Sequence, residues 1–234
     1  MYQRRHLRSP DAAPKLYRFL RLPWTTDVSA ARDELVAADL PWFDSQWKWH
    51  LGTRFCVLRG GPATERPGDR LTNGRGVDAP CLSALPATRA LLDVALPARA
   101  VLAWVGLSPP GARIHVHVDN TRHWDEHHRV HLPLVTSPGA RLGVEGRFAH
   151  LPAGTCWALN NSRPHAGLND GPARLHLVVD LAPTAAVEAW LRAGTAVEGE
   201  PDPRAWEVLR GDPLARLSAA QRADEALMAR LLAQ

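Results

Sequence analysis

The stretch that most constrains this chain runs from Arg113 to His131, RIHVHVDNTRHWDEHHRVH, and carries six of the eleven histidines. His115, His117 and Asp119 recur at every second residue, interleaved with Ile114, Val116 and Val118. In a strand that period places the polar side chains on one face and the apolar ones on the other. Arg129-Val130-His131-Leu132-Pro133-Leu134 alternates in the same way. Two neighbouring strands, each with one polar face, demand partners for buried imidazoles and a carboxylate, and a metal ion is such a partner. The polar loop between them, Asn120 to His128, is expected at the mouth of whatever the strands line.

The rest of the chain is consistent with a mainly β protein. Tyr17 to Leu22 predicts a short strand. Asp27 to Ala38 predicts a helix with Val28, Ala31 and Leu35 inward, capped by Thr26 or Asp27. Gln46 to Leu58 is rich in aromatic and β-branched residues and predicts one or two strands. Gly60 to Pro80 holds five glycines and three prolines, which marks a lid, a substrate-facing loop or disorder. A helix over Leu85–Val94 starts with Pro86 in its first turn, and Ala100 to Leu107 predicts a buried strand. Short strands follow: Leu142–Val144 and Arg147–Leu151 around a Glu145-Gly146 turn, Cys156–Leu159, and Arg174–Leu181. In the last, Arg174, His176 and Val178 share a face. Regular short strands predict a sandwich or barrel. After Pro183 the pattern turns helical: Ala185–Ala193 capped by Thr184, Arg204–Arg210 opened by Asp202-Pro203, and a helix opened by the Ser218-Gln221 capping box with Ala220, Leu227 and Leu231 inward.

Composition narrows the function classes. The net charge is +4, carried almost wholly by dispersed arginines, with Lys15 and Lys48 the only lysines. No basic run with interleaved aromatics points to nucleic acid. No apolar stretch is long enough for a transmembrane helix, and the first residues lack the apolar run of a signal peptide. Three widely spaced cysteines without a CxxC read as reduced and structural, which fits a cytoplasmic protein.

A lone H-x-D is weak, and its alternative is histidines hydrogen-bonded along a sheet. Its company strengthens it. Asn160-Asn161-Ser162-Arg163-Pro164 is a loop that delivers His165, which a closing barrel can return beside His117. Two imidazoles and one carboxylate leave open positions on a metal, the donor set of non-haem Fe(II) oxygenases. Arg174 starts an inward-facing strand and needs an anion, with a carboxylate as the best geometric match. Arg129 and His131 add positive charge on the same side. His115 reads as a second-rank neighbour, because only His117 has a carboxylate two residues on. His123, His127 and His128 lie in a polar loop and read as solvated, and Arg122, His123 and Trp124 are the candidate contacts to substrate.

The order H-x-D, nine residues, R-x-H-x-P-L, then N-x-x-x-P-H-x-x-x-N and R-L-H-L-x-x-D, resembles the aspartyl/asparaginyl β-hydroxylase family. That family of Fe(II)- and 2-oxoglutarate-dependent oxygenases includes bacterial hydroxylases of free amino acids. The resemblance covers Ile114 to Leu181. It implies a double-stranded β-helix (a cupin-like jelly roll) with flanking helices, the core at about 99–182 of a domain spanning 1–182. A helical C-terminal extension, 183–234, lies outside the resemblance and reads as a dimer surface or a lid. It implies His117, Asp119 and His165 as ligands of Fe(II) and Arg174, helped by Arg129 and His131, as the 2-oxoglutarate site, with O₂ as the oxidant. The expected activity is hydroxylation of an aliphatic carbon of an amino acid, free or peptidyl, with release of succinate and CO₂. The competing readings are a cupin-type metal enzyme, whose expected glutamate after H-x-H is missing here, and a non-catalytic jelly-roll binding module.

Overall fold

The computed structural model describes residues 15–61, 74–119 and 123–233. The strands, in chain order, are β1 (Phe19–Thr25), β2 (Phe43–Asp44), β3 (Arg54–Gly60), β4 (Val77–Asp78), β5 (Ala100–Ser108), β6 (Arg113–His117), β7 (His128–Val135), β8 (Ala140–Val144), β9 (Arg147–His150), β10 (Thr155–Leu159), β11 (His165–Asn169), β12 (Arg174–Leu181), β13 (Thr195–Val197) and β14 (Glu200–Pro201). The helices are α1 (Ser29–Ala37), α2 (Pro86–Asp93), α3 (His123–Glu126), α4 (Ala185–Arg192), α5 (Pro203–Arg210), α6 (Ala219–Ala223) and α7 (Glu225–Leu232).

Two antiparallel sheets face each other. The larger runs β13-β1-β10-β7-β12-β5-β3-β2, with β4 added to β3, and the smaller runs β14-β9-β8-β11-β6. From β5 to β8, and again from β9 to β12, consecutive strands alternate between the two sheets, as in a jelly roll. The centre of the larger sheet is buried on both faces. On β12, Leu175, Leu177, Val179 and Leu181 join the apolar core that also takes in Ala31 and Leu35 of α1, Leu91 and Leu92 of α2, and Val187 and Leu191 of α4. Arg174, His176, Val178 and Asp180 alternate with them on the inner face, and every residue of the strand is buried. Period-2 patterning thus survives even where neither face meets water.

The helices form where their caps and apolar stripes allow. Asp27 accepts the Ser29 N–H (2.8 Å) just ahead of α1, and α2 begins at Pro86. The Glu34 carboxylate of α1 accepts the first free amides of α2, Ala87 (2.6 Å) and Thr88 (2.9 Å). This cross-helix cap satisfies orphan donors that α2 cannot satisfy itself. Glu34→Ala is therefore expected to lower stability by about 1–2 kcal/mol, read as a shift in the urea midpoint; an unshifted midpoint would mean water replaces the carboxylate fully.

Arg59 at the end of β3 is wholly buried, yet paired with Asp78 of β4 (2.5 Å) and Asp93 of α2 (2.6 Å). That triad fastens both returning elements to the sheet. Part of the expected Gly60–Pro80 loop is thus the ordered strand β4, while residues 62–73 lie outside the described residues. The β8–β9 hairpin turns at Glu145 and Gly146, both at positive φ (50° and 80°), the conformation that matches strand twist in a two-residue turn.

The C-terminal extension differs from the all-helical expectation. β13 pairs with β1 and β14 with β9, so each extends a sheet. The helix expected after Ser218 is two helices, because Asp224 interrupts α6 and caps α7 by accepting the Leu227 N–H. Leu231 is buried, whereas Ala220 is exposed. Among the described residues no helix is long and apolar enough to cross a membrane.

Candidate metal and anion site

Between the sheets lies a cavity lined by His50, Ser108, His117, Asp119, Arg129, His131, Asn161, His165, Arg174 and His176, together with Trp47, Arg54 and Phe55. At one end His117, Asp119 and His165 each offer a ligand atom, all within 4.8 Å of one another. β6 and β11 bring them together, since His165 is paired directly with His117.

The register of that pairing carries a bulge. His117 opposes His165 but Ile114 opposes Gly167, so β6 takes three steps where β11 takes two. One extra residue rotates the strand locally. Ile114 and His117 both face the cavity, whereas His115 turns to the opposite side and donates its Nδ1–H to the carbonyls of Leu209 and Gly211 (3.2 Å each) at the end of α5. The expectation that His115 shares a face with His117 is thus corrected: His115 anchors the C-terminal extension.

The protonation states suit a cation. His117 donates Nδ1–H to the His115 carbonyl (2.8 Å) and His165 donates Nδ1–H to the Arg163 carbonyl (3.0 Å). A carbonyl can only accept, so each Nε2 keeps its lone pair and turns it toward Asp119, 3.8 Å and 3.9 Å away. Burial holds the His117 pKa down at about 4, helped by the neighbouring His165, and burial also lowers His165. Burial works to raise the Asp119 pKa, but His165, Arg129, His117 and the Asn161 amide outweigh it and bring it to about 2. The result is two neutral imidazoles and one carboxylate. Asn161 holds Asp119 twice, its side chain donating to the carboxylate Oδ2 (2.8 Å) and its backbone carbonyl accepting the Asp119 backbone N–H (3.0 Å).

The other end of the cavity is cationic and short of anions. Arg174 is buried, donates to Ser108 Oγ (2.9 Å) and has no partner for Nε. Burial lowers its pKa to about 10. His131 Nε2 and both ring nitrogens of His176 are buried without partners. Unpaired buried donors cost free energy unless a ligand completes them. Gly106, opposite His176 on β5, leaves the space in front of these groups clear.

Arg129 lines the same cavity, but its guanidinium is held bidentate by Asp180 (2.8 and 2.9 Å). It is also sandwiched between the Trp104 and Trp124 rings, 4.3 and 3.8 Å from their centroids. The resemblance-based expectation of a cosubstrate contact therefore falls mainly to Arg174 and His131. His123 and Trp124 do not face the cavity as substrate contacts. His123 is buried against Asp180 (2.8 Å) and Trp124 covers Arg129 from behind. α3 folds inward because Asp180, on the inner face of β12, needs donors. His128 is likewise buried and donates to Glu188 of α4 (2.7 Å) rather than standing in solvent. Arg122 lies outside the described residues.

His50 is a site residue that sequence reasoning missed. The Trp47–His50 stretch, expected as strand, is a 3₁₀ turn over Lys48–His50. It places the His50 ring 3.1 Å from His117 Nε2, with Trp49 stacked on His117 from outside. Burial and the nearby His117 lower the His50 pKa to about 3. No spacing links His50 to His117, and a histidine in a tryptophan-rich run reads as core.

Residues 72–183, just under half of the chain, match the family model described as Aspartyl/Asparaginyl beta-hydroxylase. Among solved structures, the chain is similar to a 2OG-Fe(II) oxygenase family oxidoreductase from Burkholderia pseudomallei, at 17% identity and TM-score 0.48, covering 79% of this chain and 87% of that one. It is also similar to a Pseudomonas putida prolyl-4-hydroxylase, at 16% identity and TM-score 0.42, covering 73% and 95%. A cupin domain from Bordetella pertussis matches at 16% identity and TM-score 0.28, covering 34% and 78%. Among curated proteins, none matches.

Proposed function

We propose, from the match of residues 72–183 to the family described as Aspartyl/Asparaginyl beta-hydroxylase, that the protein is a 2-oxoglutarate- and Fe(II)-dependent oxygenase of that kind and hydroxylates an aliphatic carbon of an amino acid, free or peptidyl. His117, Asp119 and His165 would hold Fe(II), and Arg174 with His131 and His176 would hold the distal carboxylate of 2-oxoglutarate. The observation that carries this reading is the pairing of two unlike ends in one cavity. One end offers three donor atoms within 4.8 Å; the other offers an arginine and two histidines with unpaired nitrogens. A dicarboxylate that chelates a metal at one end and meets a cation at the other fits both.

When bound, Fe(II), 2-oxoglutarate and O₂ supply the oxidative decarboxylation to succinate and CO₂ that drives the hydroxylation. The chain's own residues do the positioning. His115 and Arg163 carbonyls fix the imidazole tautomers, Asn161 fixes the carboxylate, and the apolar walls of Ile114, Leu142 and Val178 exclude water. Asp180 keeps Arg129 rigid beside Asp119, 3.9 Å away, without letting it occupy the anion end. The substrate would enter by Trp47, Arg54 and Phe55, where one cation among aromatic groups suits an α-carboxylate attached to an aliphatic chain. The test is anaerobic loading with Fe(II) and 2-oxoglutarate, exposure to O₂, and mass-spectrometric screening of amino acids and peptides. One should gain about 16 Da, a single oxygen atom, with stoichiometric succinate; oxidation of no amino-acid compound alongside oxidation of another class would overturn the substrate proposal.

A further inference from the structure

The three cysteines are far apart in sequence, but two meet in space. Cys56 lies on β3, fully buried on the helix-covered side of the larger sheet, and Cys81 is partly exposed on the 3₁₀ turn Pro80–Ala84. Both thiols point at one acceptor, the Val57 carbonyl, from 3.8 Å and 3.6 Å. The turn is held against the strand by the Ala79 N–H donating to the Leu58 carbonyl (2.9 Å) and, just before it, by Asp78 on Arg59. Backbone pairing thus keeps both thiols on the same carbonyl oxygen. Neither takes part in the cavity chemistry.

We propose that Cys56 and Cys81 form an oxidative modification site, a dithiol that a hydroperoxide converts to an intramolecular disulfide. The partly exposed Cys81 thiolate attacks the peroxide oxygen, which breaks the O–O bond, gives a sulfenic acid and releases one hydroxide that is protonated to water. Cys56 sulfur then displaces hydroxide from the Cys81 sulfenic acid, the S–S bond forms, and the Cys56 proton leaves in the second water. Two thiols lose two electrons and one hydrogen peroxide becomes two water molecules. The division of labour follows the surroundings. Its contact with Cys56 and the Leu82 amide brings the Cys81 thiol down to about 7, while Cys56, hydrogen-bonded to Cys81 and buried, is pushed up. A thiol near neutrality is a better nucleophile at pH 7 than one well above it. Cys156, buried on β10, is pushed up by burial and serves as an internal control. The disulfide would tie β3, which supplies Arg54 and Phe55 to the cavity wall, to the returning turn.

The experiment uses the full chain treated with hydrogen peroxide, quenched, denatured and alkylated. Three alkylated thiols before treatment should become one, at Cys156, and reductant should restore three. Trypsin should release Phe55–Arg59 joined to Gly76–Arg89, two hydrogens lighter than the summed peptides. In Cys81→Ser the joined peptide should vanish while Cys56 stays alkylatable. Three alkylatable thiols after treatment, Cys81 carrying two or three oxygens with Cys56 free, or a crosslink involving Cys156 would each overturn the proposal.

Discussion

His117→Ala, Asp119→Ala and His165→Ala are each expected to abolish turnover and to weaken Fe(II) binding by more than about a hundredfold, since losing even an outer partner of a metal ligand costs 10–100-fold. The three atoms form one set: each imidazole has its Nδ1 committed to a carbonyl, and the carboxylate is fixed by Asn161. Removing any one leaves two donors, which no neighbouring described carboxylate replaces, because Asp180 is committed to Arg129 and His123. His115→Ala is the contrasting variant. Its ring faces α5, so iron binding should persist while stability falls by about 1–3 kcal/mol, the cost of a buried donor network cut on one side. Iron loss in His115→Ala equal to that in His117→Ala would mean that β6 lacks the bulge. Stoichiometric iron with full activity in Asp119→Ala would remove Asp119 from the ligand set.

Arg174→Met is expected to raise the KM for 2-oxoglutarate by about two to four orders of magnitude while leaving iron content nearly unchanged. A buried charge-assisted pair broken on one side costs about 3–5 kcal/mol, and each 1.36 kcal/mol is tenfold. Arg174 already bears the desolvation cost, with its Nε unpaired and its pKa lowered to about 10. Methionine preserves the stem that packs between Ser108 and the cavity, so the readout isolates the charge. Steady-state kinetics with 2-oxoglutarate varied and iron measured separately provides the check. An unchanged KM would move the carboxylate contact to Arg129, which would then have to leave Asp180.

Much of this site was legible from period and order, and what was not has identifiable causes. Alternation on β12 correctly set Arg174 and His176 apart from Leu175 and Leu177, because a long, straight central strand keeps its period. The same logic misplaced His115, since a bulge inserts one residue without any sequence mark. The sequence places His123 and Trp124 as substrate contacts and His128 in solvent; buried Asp180 and Glu188 pull the two histidines inward, a requirement set by residues more than fifty positions downstream. His50 was invisible because its meeting with His117 is purely tertiary. The same holds for Cys56 and Cys81, whose shared approach to the Val57 carbonyl depends on β4 returning along β3. In the C-terminal segment, Asp224 functions as an N-cap where helical periodicity alone runs straight through it.

The proposed reaction needs one cavity to join a metal end to an anion end. Succinate formed from 2-oxoglutarate by the intact protein, with and without Fe(II) loaded anaerobically, tests it most directly. The expected result is iron-dependent succinate, at most one per 2-oxoglutarate consumed and rising when an acceptable amino-acid substrate is present. Stoichiometric iron bound by the wild-type protein with no succinate at any 2-oxoglutarate concentration would contradict it.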